Sequence, residues 1–279
     1  MDTELETQNF VSLLHKQRHM QLSIYQIDAF ANQVFQGNPA SVVPLDSWLP
    51  DETLQNIAIE NNLSETAYFI QDGENYHLRW FTPSTEVRLC GHATLASAHV
   101  LFAHLGHPTS EITFNTLGGV LKVRREGDHY IMDFPADEPQ PFHVLRSLEH
   151  ILGIQIQEMV KGTDDYLALI ESEEVLMALK PNFRLLADLK TRGLIVTAPG
   201  TTTDIASRCF FPNFGIDEDP VTGSAHTLLA PYWSKKLGKT NITAIQGGVR
   251  KGQLQCNLKG DRVELMGKAQ TYLQGSIWI

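Results

Sequence analysis

The sequence predicts an α+β protein with two pseudo-symmetric domains, each a mostly antiparallel sheet curled around a central helix. Three observations support this prediction: a segment that occurs twice, a helix that is apolar on every side, and alternating strands after it. A helix without a polar face must be buried all round, and a sheet that wraps around it provides that cover. The length of 279 residues suits two domains of ordinary size.

The duplication relates residues 90–106 to residues 222–238, CGHATLASAHVLFAHLG to TGSAHTLLAPYWSKKLG, without a gap. Gly91 matches Gly223, and both segments close on Leu-Gly. The flanks repeat in the same order: RWFTP and RCFFP precede the segments, and Ile-Thr, Gly-Gly and Gly-Asp pairs follow them. Two copies of one unit indicate two similar domains related by a pseudo-twofold axis rather than a solenoid, which needs more copies.

The elements can be assigned in chain order. SIYQIDAF is typical of a strand, GNPASVV of a turn that leads into a second strand, and residues 51–62 of an amphipathic helix with one apolar stripe. A further strand is entered at Tyr68, and LRWF and RCFF are short strands. Residues 111–134 alternate between turns, which indicates a β meander. Pro231 should kink or shorten the second central helix, because proline removes a donor.

Domain boundaries follow from composition. Residues 1–19 are polar and are predicted to form an N-terminal extension without chemistry. The first domain is predicted at 20–134 and the second at 143–279. The acidic, proline-rich segment 135–142 is the predicted linker.

Charge and cysteine content exclude several classes of function. With 22 Lys and Arg against 32 Asp and Glu, the chain carries a net charge of −10 and has no basic patch. We therefore expect no nucleic-acid or membrane partner. Three widely spaced cysteines, with no disulfide or metal-ligand spacing, indicate free thiols in a reducing compartment. Because the polar first residues also differ from a secretory signal, we predict a cytoplasmic protein.

The two glycine-led helix starts are the first candidate for chemistry. Free backbone N–H groups and the positive end of the helix dipole make such a start an anion site. A pseudo-twofold axis would bring Gly91 and Gly223 face to face, where a substrate carboxylate could be bound and polarised. Alternatively, both glycines serve only tight turns.

Polar residues near these starts have two interpretations each. Glu65 is a surface acid or a catalytic one, and Asp219 caps a helix or belongs to the site. His92 is a cap, a packed residue or a hydrogen-bond donor, and Ser224 caps its helix or binds a ligand. Cys90 is a small buried hydrophobe or, if exposed, a base. The chain contains no nucleotide, HExxH or GxSxG motif.

Taken together, four segments resemble the phenazine-biosynthesis PhzF-like family. They are IYQIDAFANQVFQGNPASVV, IAIENNLSETAYF, RWFTPSTEVRLCGHATLASAHVL and FFPNFGIDEDPVTGSAH, in family order along most of the chain. The resemblance implies the diaminopimelate epimerase-like fold, with the active site between the two halves. The best-known member isomerises dihydro-hydroxyanthranilate without a metal or organic cofactor.

Roles come with the resemblance, residue by residue. The glutamate of NLSETA, Glu65, is expected to take and return the proton, and Ser64 of the same motif to contact the substrate. His92 and Asp219 are expected to be catalytic. The resemblance also implies substrate binding by the following residues: Gly91, His92, Gly223 and Ser224.

Our prediction is therefore a cofactor-independent, PhzF-like isomerase that acts on a small cyclic or amino carboxylic acid, as a homodimer. One alternative is an amino-acid racemase, epimerase or dehydratase that uses Cys90. Related racemases use two opposed cysteines, whereas Thr222 stands at the matching place here, and its hydroxyl is a poor base. A second alternative is a non-catalytic protein that binds small acids.

Overall fold

The computed structural model describes residues 20–279, so the predicted extension 1–19 lies outside the described residues. The predicted α+β fold is confirmed: sheet strands surround two central helices, and most strand pairs are antiparallel. Within residues 20–279, none of the helices combines the length and the apolar character that crossing a membrane requires.

The first half of the chain contains eight strands and two helices. Its first helix lies over the sheet through its apolar stripe of Leu54, Ile57 and Ala58, as predicted. The elements are β1 (Gln21–Ala29), β2 (Asn38–Pro44), α1 (Asp51–Asn61), β3 (Glu65–Asp72), β4 (Asn75–Phe81), β5 (Glu86–Val87), α2 (Gly91–Ala103), β6 (Glu111–Thr116), β7 (Gly119–Glu126) and β8 (His129–Pro135).

The second half repeats this order and adds short helices, which cover the outer face of its sheet. The elements are β9 (Gln140–Phe142), α3 (Arg146–Leu152), β10 (Glu158–Lys161), β11 (Asp165–Leu169), α4 (Glu173–Ala178), α5 (Phe183–Leu186), β12 (Gly193–Pro199), β13 (Ile205–Phe211), a 3₁₀ turn (Pro212–Phe214), β14 (Ile216–Asp219), α6 (Gly223–Leu237), β15 (Asn241–Gln246), β16 (Gly252–Lys259), β17 (Arg262–Gly267) and β18 (Ala269–Trp278).

Strand pairing reproduces the duplication seen in the sequence. β2 and β3 are parallel, β3 and β4 antiparallel, and β4 and β6 parallel. The same alternation recurs in β11–β12, β12–β13 and β13–β15. The two meanders then meet where β8 pairs antiparallel with β17, so the halves share one continuous sheet. Two copies of the unit are therefore related by the predicted pseudo-symmetry.

The central helices are α2 and α6. The structure agrees with the predicted burial of α2 but not with the predicted shortening of α6. α2 is buried on all sides from His92 to Ala98, in agreement with its lack of a polar face. α6 runs through Pro231 for 15 residues, so the expected shortening does not occur. Proline leaves the carbonyl four residues earlier without its helical donor. That carbonyl, of Thr227, accepts a hydrogen bond of 3.0 Å from the backbone N–H of Asp137 instead.

Two boundaries lie elsewhere than the sequence patterns indicated. β3 begins at Glu65 rather than at Tyr68, because Glu65 already pairs with Ala40 of β2. The last strand, β18, returns to the first half and pairs along its whole length with β1. The division into domains at 20–134 and 143–279 stays a prediction. The final strand, although it belongs to the second range, lies in the sheet of the first half.

An ion pair ties the halves together beside the central helices. Asp28 of β1 is buried, and its carboxylate accepts a hydrogen bond of 2.6 Å from Arg250, in the loop between β15 and β16. Arg250 also donates to the carbonyl oxygens of Gln36 and Gly37, immediately before β2. This contact positions the start of β2, which leads into the site described next.

Candidate active site

The two central helices meet at their N-termini. A Cβ atom built on Gly91 would lie 3.6 Å from the Cα atom of Gly223, and one built on Gly223 would lie 3.7 Å from the Cα atom of Gly91. The starts touch, so a ligand would lie against both rather than between separated ends. Two positive helix ends brought together form a strong attractor for an anion.

Neither helix start is capped by a side chain. Cys90 and Thr222 are the N-cap residues, and within residues 20–279 neither of their side chains accepts a capping hydrogen bond from the first turn of its helix. Ser224 and Asp219 therefore do not act as caps, which was one of their two interpretations. Buried helix ends normally find partners for these N–H groups, so their lack here leaves them available to a ligand.

The contact between the two helix starts, at Gly91 and Gly223, is called the junction below. Glu65 lies at the first position of β3, and its side chain points into this junction. Its side chain is only 13% exposed. Burial raises the pKa of the Glu65 carboxyl to about 8, and the negative charge of Asp219 adds to this effect, while a hydrogen bond from Cys90 opposes it. A carboxyl with a pKa near neutrality can both accept and return a proton.

His92, the second residue of α2, faces Glu65. The Nε2 atom of His92 and the Oε2 atom of Glu65 are 3.2 Å apart, but they are not aligned for a hydrogen bond. Both atoms are buried and have no hydrogen-bond partner among residues 20–279. Burial lowers the pKa of His92 to about 3, so the contact joins a neutral imidazole and a carboxyl. Unpaired buried polar atoms cost free energy, which a bound ligand would recover.

Asn38, at the start of β2, sets the orientation of the imidazole. Its amide nitrogen donates to Asp219 Oδ1 at 2.7 Å and to the Val221 carbonyl at 3.0 Å. The same nitrogen lies 3.3 Å from the Nδ1 atom of His92. The two hydrogens of this amide serve the two shorter contacts, and a proton on Nδ1 would face them, which favours the tautomer with the proton on Nε2. The neutral ring therefore carries its N–H on the nitrogen that lies 3.2 Å from Glu65 Oε2.

Asp219 ends β14 and is buried in the same network. Its Oδ2 atom accepts a hydrogen bond of 2.6 Å from the Thr222 hydroxyl. Burial raises its pKa to about 6, and hydrogen bonds from Thr222 and Asn38 limit the rise. Near pH 7 the two carboxyls thus differ: Glu65 is mostly protonated and Asp219 is mostly ionised. Two neighbouring carboxyls whose pKa values differ in this way are typical of acid/base sites.

Cys90 is buried next to these groups, with its sulfur 3.5 Å from His92 Nδ1. Burial and the charge of Glu65 raise the pKa of the thiol well above its ordinary value. The thiol therefore stays protonated at neutral pH and is a poor base or nucleophile. Glu65, Cys90 and His92 offer ligand atoms within 4.8 Å of one another and could hold a metal ion, after the thiol and carboxyl had lost their protons.

The remaining expected residues lie at the edge of the cluster. Ser64 is half-buried in the turn before β3, next to Glu65. Ser224 follows Gly223 in α6, on the second half, and its hydroxyl accepts a hydrogen bond of 3.1 Å from Arg192. The structure thus brings Glu65, His92 and Asp219 together, with Ser224 on the wall formed by the second half.

Reasoning from the sequence missed three residues that lie in or beside this cluster. Asn38 stands in the motif QGNPASVV, where a polar residue between Gly and Pro reads as part of a turn. Arg192 and Asp165 form an ion pair over 27 residues of chain, and nothing in the local sequence of either predicts it. Only for Asn38 was there a signal, since it lies within a segment that resembles the family.

Comparison with known proteins identifies the family. The profile of the phenazine biosynthesis-like protein family, PhzC-PhzF, matches residues 27–275. The chain belongs to this family. An uncharacterized isomerase from Pseudomonas aeruginosa is 54% identical over 258 residues, which cover 92% of this chain and 99% of that protein.

Solved structures agree with the PhzF assignment. A PhzF-family protein from Enterococcus faecalis superposes with a TM-score of 0.91 at 44% identity, covering 93% of this chain and 100% of that one. A predicted epimerase from Pseudomonas aeruginosa, at 19% identity and a TM-score of 0.74 over 92% of this chain and 99% of that one, shares the fold alone. The predicted resemblance is confirmed, and with it the class of PhzF-like isomerase.

Proposed function

We propose that the protein is a cofactor-independent isomerase in which Glu65 moves a proton on a small cyclic or amino carboxylic acid. The observation that carries this proposal is the junction itself: a carboxyl whose pKa is about 8 stands beside two uncapped helix starts. The helix starts bind the substrate carboxylate, and their dipoles stabilise the negative charge that forms when the adjacent carbon loses a proton.

In the molecules whose Glu65 is ionised, its carboxylate takes the proton from one carbon and then, as the carboxyl, returns it to another. His92 is neutral, and its Nε2 atom lies 3.2 Å from Glu65 Oε2, so it donates a hydrogen bond to the substrate or, after a small adjustment, to the carboxylate of Glu65. Asp219, an anion in the resting site, attracts an amino group on the substrate. Glu65, His92 and Asp219 are thus the catalytic residues of the proposal, and Ser64, Gly91, Gly223 and Ser224 bind the substrate with His92.

The asymmetry of the two halves supports one acid/base group rather than two. A racemase with two opposed bases needs an equivalent group on each side of the substrate. In strand register, the place of Glu65 is taken in the second half by Gly193, and the place of Cys90 at the helix start by Thr222. The raised pKa of Cys90 also argues against the thiol as a base.

Proton exchange in deuterated buffer tests the proposal. The Glu65→Gln variant would be compared with the wild type for deuterium incorporation into dihydro-hydroxyanthranilate, followed by proton NMR. General acid/base catalysis contributes about 10²–10⁴ in rate, so we expect a loss of at least about 100-fold. Glu86→Gln, which alters a glutamate outside the junction, is the matched control. Exchange by Glu65→Gln within about threefold of the wild type would refute the role of Glu65.

A further inference from the structure

The second half carries an ion pair at the place where the first half carries Glu65. Thr66 pairs with Phe81 in the first half, as Leu194 pairs with Phe210 in the second. This register sets Gly193 at the place of Glu65, and therefore Arg192 at the place of Ser64. Because Ala40 pairs with Glu65 and Asp165 pairs with Gly193, Asp165 occupies the place of Ala40. In the second half the carboxylate of Asp165 therefore stands on the strand next to the place of Glu65.

Arg192 and Asp165 are locked together in a bidentate contact. The Nε atom of Arg192 donates to Asp165 Oδ1 at 2.9 Å, and its Nη2 atom donates to Asp165 Oδ2. Asp165 is buried, and the guanidinium carbon lies 5.6 Å from the centre of the Phe211 ring. Two parallel hydrogen bonds hold the plane of the guanidinium in a single orientation.

The same guanidinium reaches the start of helix α6. Nη2 of Arg192 lies 3.1 Å from Ser224 Oγ. A guanidinium cannot accept a hydrogen bond, so the Ser224 oxygen is the acceptor and its hydroxyl proton is left to donate. Among residues 20–279 the Ser224 hydroxyl has no other hydrogen-bond partner. Ser224 follows Gly223, which touches the start of α2.

We propose that Arg192, held by Asp165, is a positioning residue that turns the Ser224 hydroxyl into a hydrogen-bond donor for the substrate carboxylate. This inference rests on the proposed function, because it assumes that the carboxylate lies at the two helix starts. Without Arg192, the hydroxyl rotates freely and must be ordered each time it donates to the anion, and the positive charge beside it is lost.

The charge of Arg192 also acts on the site. It lowers the pKa of Asp219, against the effects of burial and of the negative charge of Glu218. The ionisable groups around Asp219 are Arg192, Glu218, Glu65 and the thiols of Cys90 and Cys209. The hydroxyl of Thr222 and the amide of Asn38 contact it directly. Arg192 is thus the cation among them, and it supports the ionised form of Asp219.

Binding of anthranilate, a stable aromatic acid of the proposed substrate class, tests the inference without requiring turnover. Titration calorimetry would give Kd for the wild type, Arg192→Met, Ser224→Ala and the double variant. A lost hydrogen bond to a charged group corresponds to about a tenfold rise in Kd, which we expect for each single variant. Since both changes remove the same donor, the double variant should bind no more weakly than Ser224→Ala.

Three further variants sharpen the result. Arg192→Lys can still donate to Ser224 and should recover part of the affinity. Arg79→Met removes an arginine paired with Glu86 and Asp51 outside the junction, and should leave Kd unchanged. If Arg192→Met does not fold because Asp165 is left unpaired, Arg192→Met with Asp165→Asn removes both charges.

The outcomes separate this inference from the proposed function. An unchanged Kd for Arg192→Met beside a raised Kd for Ser224→Ala, or effects of the two changes that simply add, would overturn the role of Arg192 alone. Failure of the wild type to bind anthranilate would instead count against the carboxylate site of the proposed function. In Arg192→Met, Asp219 loses the positive charge that lowers its pKa. The acidic limb of the pH–rate profile should therefore move to higher pH, a shift that a purely structural role would not cause.

Discussion

Alanine at Gly91 or Gly223 would separate a structural role of these glycines from a role in binding. Neither residue has a positive φ, so no turn conformation requires glycine. A Cβ on Gly91 would meet nothing nearer than 3.6 Å, and a Cβ on Gly223 also nothing nearer than 3.6 Å, which is ordinary van der Waals contact. The fold therefore accepts a methyl group at either position.

The expected stability change is small and favourable. Alanine in place of glycine stabilises a helix by about 0.5–1 kcal/mol in its interior, so we expect an increase between zero and about 1 kcal/mol in the free energy of unfolding. The methyl group, however, stands where a carboxylate would approach the N–H groups of both helices. Loss of such charged hydrogen bonds, each about 1.5–3 kcal/mol, should raise the Kd for anthranilate by at least about tenfold.

Urea unfolding and titration calorimetry on Gly91→Ala and Gly223→Ala measure the two quantities separately. Gly106→Ala is the control, since Gly106 has a φ of +67° and lies at the far end of α2. That change should destabilise the protein and leave Kd unchanged. The reasoning fails if Gly91→Ala and Gly223→Ala bind anthranilate like the wild type, or if either loses more than about 2 kcal/mol of stability.

Three other predictions concern buried groups. Cys90→Ala should keep deuterium exchange within about tenfold of the wild type, since the thiol stays protonated; a loss comparable to that of Glu65→Gln would restore the thiol mechanism. The folded pKa of Glu65, about 8, lies above its ordinary value, so its contribution to stability is complete below pH 4.5 and is lost as pH rises through 8. We therefore expect the free energy of unfolding of Glu65→Gln, measured in urea and compared with that of the wild type, to be at least about 1 kcal/mol more favourable at pH 9 than at pH 5. The same difference between the two proteins at both pH values would contradict this. Arg250→Met leaves Asp28 buried without its cation and should lower the free energy of unfolding in urea by about 3 kcal/mol. Lys122→Met, which breaks an exposed ion pair, should lower it by less than about 1 kcal/mol.

Much of the fold was predictable because it depends on patterns that are local in the chain. The apolar character of α2 required burial on all sides, and the repeated landmarks required two similar halves. The errors arose where a distant partner overrides a local preference. Pro231 is accommodated because the N–H of Asp137 takes over the Thr227 carbonyl, and β3 starts at Glu65 because β2 lies beside it.

The candidate site was predictable only as a set of residue types. Glu65, His92, Asp219 and Ser224 could be named from motifs, and the motifs indicated which helix starts to examine. Their protonation states could not be read from the motifs, since burial raises the pKa of Glu65 to about 8 and lowers that of His92 to about 3. Asn38 escaped notice because its partners lie 54 and 181 residues away.

By itself, the sequence determined the two-fold repeat, the buried central helices, the family and the residue types at the helix starts, because composition and spacing carry these properties within short segments. Tertiary structure alone decided that the two starts touch, that β18 crosses back to the first half, and that Arg192 joins Asp165 to Ser224. Such contacts depend on how a curled sheet brings remote residues to one place. The electrostatic environment they create decides which carboxyl holds a proton, since the energy of a charge depends on the water and the charges around it.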